Sequence, residues 1–296
     1  MELNKLLEFY KQTSTFTDLG YYKNFAKELP NDIEELCLLQ RKQIIHPVIL
    51  KDNDIRNKKE CFWGDMTKIP LSRLKFEDDI FPTAQSIIAE LLRKNPNYTK
   101  EREAKDKVHV TCRGQAILLA SILKAKGIPA RARSGFAPYI KYNGVAFDHW
   151  ITEYYDEKEK RWKLVDADMC CDEIKFNPYD IPYEEFVSSA KAYLGLRQNK
   201  YKSETILYAS NPPTLGLKAA LRGLFYDFHS LMNDEIIFLH MPKYIQNKNF
   251  ELSEEEYIEL DNLANLMLDP DKNFEKLQDI WETNEKFRIM SGALNS

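Results

Sequence analysis

The sequence is short of the residues that make a chain loose or covalently stapled. Its 296 residues include only 10 Gly and 13 Pro, and neither gathers into a linker or repeat. With 44% apolar and 12% aromatic residues, this excludes collagen-like, low-complexity and disordered classes. Long apolar runs are missing too: no stretch approaches 18 residues, so no membrane span is expected. The opening MELNKLLEFYKQTST has no uninterrupted apolar core, so no secretory leader is expected and the cytoplasm is the expected compartment. Charge of one sign is also lacking. The 42 basic and 46 acidic residues give a net charge of −4, which argues against nucleic acid or an anionic membrane surface as partner. Five cysteines (Cys37, Cys61, Cys112, Cys170 and Cys171) are too few and scattered for a disulfide scaffold. Their odd number leaves at least one thiol free unless it pairs between molecules.

Several signatures are absent as well. There is no C-x-x-C, H-E-x-x-H, G-x-S-x-G, Walker A, G-x-G-x-x-G or 12-residue calcium loop. Zinc, calcium, phosphate-loop, dinucleotide and serine-hydrolase chemistry are therefore not expected, and no metal or cofactor is.

What is present divides into three segments. Residues 1–105 read as a mostly helical region punctuated by Pro30, Pro47, Pro70, Pro82 and Pro96, with helices expected near Asp32–Ile45 and Thr83–Lys94. The mixed charges from Arg93 to Lys107 read as a solvated helix-to-loop stretch. Residues 106–175 carry one short apolar helix followed by β-type runs. Residues 176–296 return to helical signals at Tyr183–Leu196, Leu215–Met232, Ser253–Leu268 and Phe274–Phe287, the third opening on a Ser253…Glu256 capping box. Helical flanks around a central α-then-β unit predict an α+β fold.

The central segment bears the chemistry. In VHVTCRGQAILLASILKAKGIPAR, the window Ala116–Leu123 is too apolar for a half-exposed helix, so the helix should be buried. Thr111 is its expected N-cap, and Gly127 fits the left-handed position after its C-terminus. Cys112 then falls in the first turn, where free N–H groups and the helix dipole favour a thiolate. Gly114 leaves room beside it for a neighbouring chain or substrate. Downstream, His149–Tyr155 and Arg161–Asp166 flank a polar loop and read as an antiparallel hairpin. A loop centred between Glu157 and Lys158 would set His149 opposite Asp166, close enough for the carboxylate to hold the imidazole. Cys112, His149 and Asp166 then form a nucleophile, base and orienter for thiol-dependent acyl chemistry, with the Cys112 N–H as an oxyanion donor. The bland alternatives are a small buried cysteine and a structural His–Asp pair.

These residues carry a resemblance. Cys112 on its buried helix, Gly127-Ile128-Pro129-Ala130-Arg131, Asp148-His149-Trp150 and Trp162…Val165-Asp166-Ala167 resemble the core of the transglutaminase-like superfamily, and the spacings of 37 and 17 residues between the three candidates are similar to that family's. The resemblance covers about residues 108–170 and implies a papain-like cysteine-enzyme fold with Cys112, His149 and Asp166 as triad. The flanks resemble bacterial transglutaminase-like proteins in which the Arg222-Gly223…Asp227…Asn233 helix also recurs. The chain departs from that group around the cysteine: Val110-Thr111 stands where Gly-Asn is frequent, and Gly114 where an acidic residue is.

Trp150, Arg222, Asp227 and Asn233 are candidate substrate-binding residues. Core packing is the plainer role for Trp150, and buried pairing for Arg222 and Asp227. His109, three residues before the cysteine, is a competing base or ligand expected to point away from the helix tip. His46, His229 and His240 show no partner pattern, although His229 near Asp227 could line a cleft. Adjacent Cys170 and Cys171 read as buried thiols. The expected function is acyl transfer to an amine, or hydrolysis, of an amide or peptide substrate. The alternatives are a non-catalytic peptide- or partner-binding module on the same fold, or a scaffold worked by the helical flanks.

Overall fold

The computed structural model describes residues 3–142, 145–168, 174–209, 213–246 and 248–289. Cys170 and Cys171 lie outside the described residues. The helices are α1 (Leu3–Lys11), α2 (Lys23–Glu28), α3 (Ile33–Arg41), α4 (Asn53–Arg56), α5 (Ala84–Lys94), α6 (Cys112–Ala125), α7 (Ser189–Arg197), α8 (Gly216–Leu231), α9 (Lys243–Gln246), α10 (Glu254–Met267) and α11 (Phe274–Thr283). The strands are β1 (Ala130–Tyr142), β2 (Val145–Asp156), β3 (Arg161–Val165), β4 (Val187–Ser188), β5 (Ile206–Tyr208) and β6 (Thr214–Leu215). The fold is α+β, as the sequence implies. No helix among the described residues is long and apolar enough to cross a membrane.

Local signals set many of the boundaries. Asp32 accepts the Glu35 N–H at 2.9 Å to start α3, and Thr83 and Ser86 cap α5 reciprocally. Ser253 and Glu256 form the expected capping box on α10. At the end of α6, Gly127 takes φ +80°. Its N–H donates to Lys124 O and the Ile128 N–H to Leu123 O, both at 2.9 Å. These are the two bonds of a Schellman cap.

The chain forms two compact units of non-contiguous stretches, so the three consecutive segments of the sequence do not map onto them one to one. One unit comprises Lys11–Ala132 and Ile151–Ile181. Its core gathers Leu36, Cys37, Ile87, Leu91, Val110, Leu118, Ile122 and Val165 around α6, whose fourteen residues are all buried. Within it the end of β2 pairs antiparallel with β3: Thr152 opposite Val165, Tyr154 opposite Lys163, Asp156 opposite Arg161. The turn, with Lys160 at φ +54°, centres between Lys158 and Glu159, one residue beyond the expected centre, so each cross-strand pairing shifts by two. The expected facing of His149 and Asp166 is therefore corrected: on the observed register Ile151 falls opposite Asp166. A two-residue shift preserves which positions share a face, because strand side chains alternate with period two.

The other unit comprises Met1–Tyr10, Arg133–Trp150 and Pro182–Ser296. Here the strand order is β4-β1-β2-β5-β6, with β2 and β5 parallel and β5 and β6 antiparallel. Helix α8 is the centre of this unit: all but three of its sixteen residues are buried, and α7 and β5 pack on it. Tyr10 of α1 donates to Leu231 O at 3.0 Å, tying the N-terminal helix to the end of α8.

Candidate active site

Cys112 is the first residue of α6 and is 6% exposed. Thr111 occupies the N-cap position in extended conformation, as expected, but its hydroxyl does not cap the helix. The hydroxyl donates instead to Oδ1 of Asp78 at 2.7 Å, and the Thr111 N–H donates to the same oxygen at 3.0 Å. The first turn of α6 is thus left without a side-chain cap, with its N–H groups at the positive end of a buried helix. Burial raises the Asp78 carboxyl above its ordinary value, against the lowering effect of the Thr111 bonds, Arg113 and His46. Gly114 is needed because of a chain neighbour: a Cβ there would meet Val110 Cβ at 2.7 Å.

One turn along the same helix face sits a group that single-sequence reasoning missed. Gln115, three residues after Cys112, donates from Nε2 to Asp168 Oδ1. The other carboxylate oxygen of Asp168 lies 3.6 Å from His46 Nε2. The Val48 N–H donates to His46 Nδ1 at 3.2 Å, which places the ring hydrogen on Nε2, facing the carboxylate. The Asp168 N–H in turn donates to Asp166 Oδ1 at 2.9 Å, and the Asp166 N–H donates to Pro178 O at 2.9 Å. Asp166, fully buried, is thereby held on both its backbone and its carboxylate. Gln115, His46 and Asp168 line a cavity of about 10 Å³, enough for one water molecule. His46 has no sequence neighbour that announces this role; the repeat of carboxylates in Asp166-Ala167-Asp168 is the one pattern from which it could have been sought.

His109 is buried and turned to Arg73, its Nδ1 donating to Arg73 O at 2.8 Å, while its backbone N–H donates to Glu77 Oε2 at 2.8 Å. Burial, only partly offset by Glu77, pushes the imidazole down to about 4. It stays neutral at physiological pH. Cys37 is buried beside Asp166, and burial followed by that carboxylate pushes its thiol far up.

His149, on β2 in the other unit, is 2% exposed and meets the Tyr139 ring edge-on at 6.1 Å. Next to it, Asp148 accepts the Ala209 N–H at 2.6 Å. Trp150 is buried between Tyr226 (6.0 Å) and Phe238 (6.3 Å). Arg133 Nε and Nη2 donate to the two oxygens of Asp227 at 2.8 and 2.9 Å, and the Ser134 N–H adds a third bond at 3.0 Å, anchoring α8 to β1. Asp227 and Arg222 are thus not brought together as a pair. The Arg222 guanidinium lies over the rings of Tyr208 (5.3 Å) and Phe250 (5.5 Å). Asn233 takes the left-handed conformation after α8, φ +56°, and donates to Phe9 O at 3.0 Å. His229 bonds Asp234 (2.7 Å) through one nitrogen and Phe287 O (2.8 Å) through the other, as a structural histidine does. Among the described residues, no three His, Cys, Asp or Glu side chains cluster closely enough to hold a metal ion.

Comparison with known proteins gives one family likeness, over part of the chain. No curated protein matches the chain. A solved structure of a candidate cysteine protease from Cytophaga hutchinsonii aligns with 64% of this chain and 50% of its own, at 16% identity and a TM-score of 0.34. This chain therefore spans about half the length of that protein. The model of the transglutaminase-like superfamily matches residues 77–167, a segment that opens at Glu77, contains Cys112 and His149, and closes just after Asp166. The chain thus carries a transglutaminase-like superfamily core over residues 77–167.

Proposed function

We propose that the chain carries out thiol-dependent acyl chemistry on an amide or peptide substrate in a reducing compartment, with Cys112 as nucleophile, His149 as base and Asp166 as orienter. The observation that carries this reading is Cys112 at the first position of a fully buried 14-residue helix, inside the superfamily-matching segment and followed there by His149 and Asp166 in order. The imidazole takes the thiol proton and the sulfur attacks the carbonyl carbon. The resulting oxyanion is held by the Cys112 N–H, which no intrahelical carbonyl needs. The C–N bond breaks as the imidazolium returns the proton to the leaving amine, leaving a thioester. Water or a second amine then attacks the thioester and restores the thiol.

Peptide mass spectrometry after brief exposure to iodoacetamide at neutral pH tests the nucleophile. Cys112 should be alkylated well ahead of Cys61, with Cys37 unreacted because burial holds its thiol protonated. His149→Ala should bring Cys112 down to the rate of Cys61. Equal rates for Cys112 and Cys61 in the unaltered chain would remove the enzymatic reading and favour a binding module.

A further inference from the structure

The charged stretch from Arg93 to Lys107 does not end in solvent. Arg102 is buried and donates to Gln43 Oε1 and to the carbonyls of Leu91, Asn95, Asn97 and Asp106. Lys107 is 1% exposed, and its Nζ donates to the carbonyl of Lys42. No carboxylate pairs with Lys107 among the described residues. Its charged neighbours are themselves cations, Lys42 and Arg102, with the Cys61 thiol also close. An unpaired ammonium in such a place costs several kcal/mol, so the amine gives up its proton far more readily than an exposed lysine does. Burial first, then Lys42 and Arg102, pull Lys107 down to about 7.

Lys107 is among the residues lining a cavity of about 320 Å³, within the size range of small-molecule sites. The rings of Phe62 and Trp63, edge to face at 5.4 Å, form one wall. Lys42 Nζ donates to Phe62 O at 2.6 Å and lies 3.7 Å from the centre of the Phe62 ring, and Lys100 stands at the rim. Of the acidic residues that line the cavity, Glu103 is engaged by Lys68 (3.7 Å) and Lys105 (3.2 Å), and Asp65 accepts from Thr67. Glu101 is exposed at the surface.

We propose that this cavity binds a small aldehyde or 2-oxo acid, which Lys107 captures as an imine. An uncharged lysine amine beside other cations is the arrangement that makes lysine a nucleophile toward carbonyls. The Nζ lone pair adds to the carbonyl carbon. The carbinolamine then loses the former carbonyl oxygen as water, with two protons from the nitrogen, and a C=N bond remains. Lys42 and Lys100 supply the positive charge that a carboxylate on the same molecule needs.

The test uses the full chain, glyoxylate as carbonyl and cyanoborohydride to reduce the imine, with labelled lysines ranked by peptide mass spectrometry at pH 7. Lys107 should label about tenfold or more ahead of exposed Lys68 and Lys100, since an ordinary lysine is almost wholly protonated at that pH. In Lys42→Met, the loss of a neighbouring cation should slow Lys107 at pH 7 and leave Lys68 unaffected. Labelling of Lys107 no faster than of Lys68 and Lys100 would overturn the proposal. So would a Lys107 rate unchanged in Lys42→Met, or one that persists in urea.

Discussion

The backbone N–H of Asp168 donates to Oδ1 of Asp166 at 2.9 Å. The carboxylate that follows Asp166 by two residues therefore fixes it through the main chain, while its own oxygens tie to Gln115 on α6 and to His46. A segment leaving β3 is locked in this way to the helix that begins with Cys112.

Asp168→Ala removes the acceptor from Gln115 Nε2 and the carboxylate 3.6 Å from His46, leaving a buried donor unpaired. Urea denaturation should show a loss of about 1–3 kcal/mol. Asp168→Asn keeps one oxygen for Gln115 and should lose less. If both variants match the unaltered chain, the network does not hold this segment.

The Arg133–Asp227 pair is almost wholly buried. Arg133→Met strands a carboxylate in the interior and should cost about 3–5 kcal/mol in urea denaturation. Combining it with Asp227→Leu removes the stranded charge and should recover most of that loss. A double variant as unstable as the single one would contradict this account.

His109 makes its own contribution to the acid limb of the stability profile. In the unfolded chain its imidazole takes a proton near the ordinary 6.5, whereas the folded state refuses one until about 4. Between these values the unfolded state binds more protons, so stability falls as pH drops from about 6.5 toward 4. The loss is on the order of 3 kcal/mol for a group so fully buried. His109→Gln, which does not titrate, should flatten that part of the profile, measured as urea midpoints from pH 7 to pH 4.

Much of the architecture was legible along the chain, and for local reasons. The bounds of α6 follow from an apolar window, a Thr and a Gly whose φ of +80° other residues resist. The capping box on α10 is a contact over three residues. The turn at Lys160 was not legible, because a polar loop of several residues closes equally well in more than one register. The stretch from Arg93 to Lys107 misled because charge reads as solvation, while Arg102 finds five acceptors that only folding assembles.

The sequence by itself determined the α+β class, the buried helix and the order of Cys112, His149 and Asp166, since each rests on composition or on neighbours a few residues apart. The tertiary structure alone decided that His46, Gln115 and Asp168 share one cavity, that Asp227 belongs to Arg133, and that Lys107 is a buried amine with no counter-ion among the described residues. Those relationships join residues 53 to 122 positions apart, or depend on how completely water is excluded. No local pattern encodes either one.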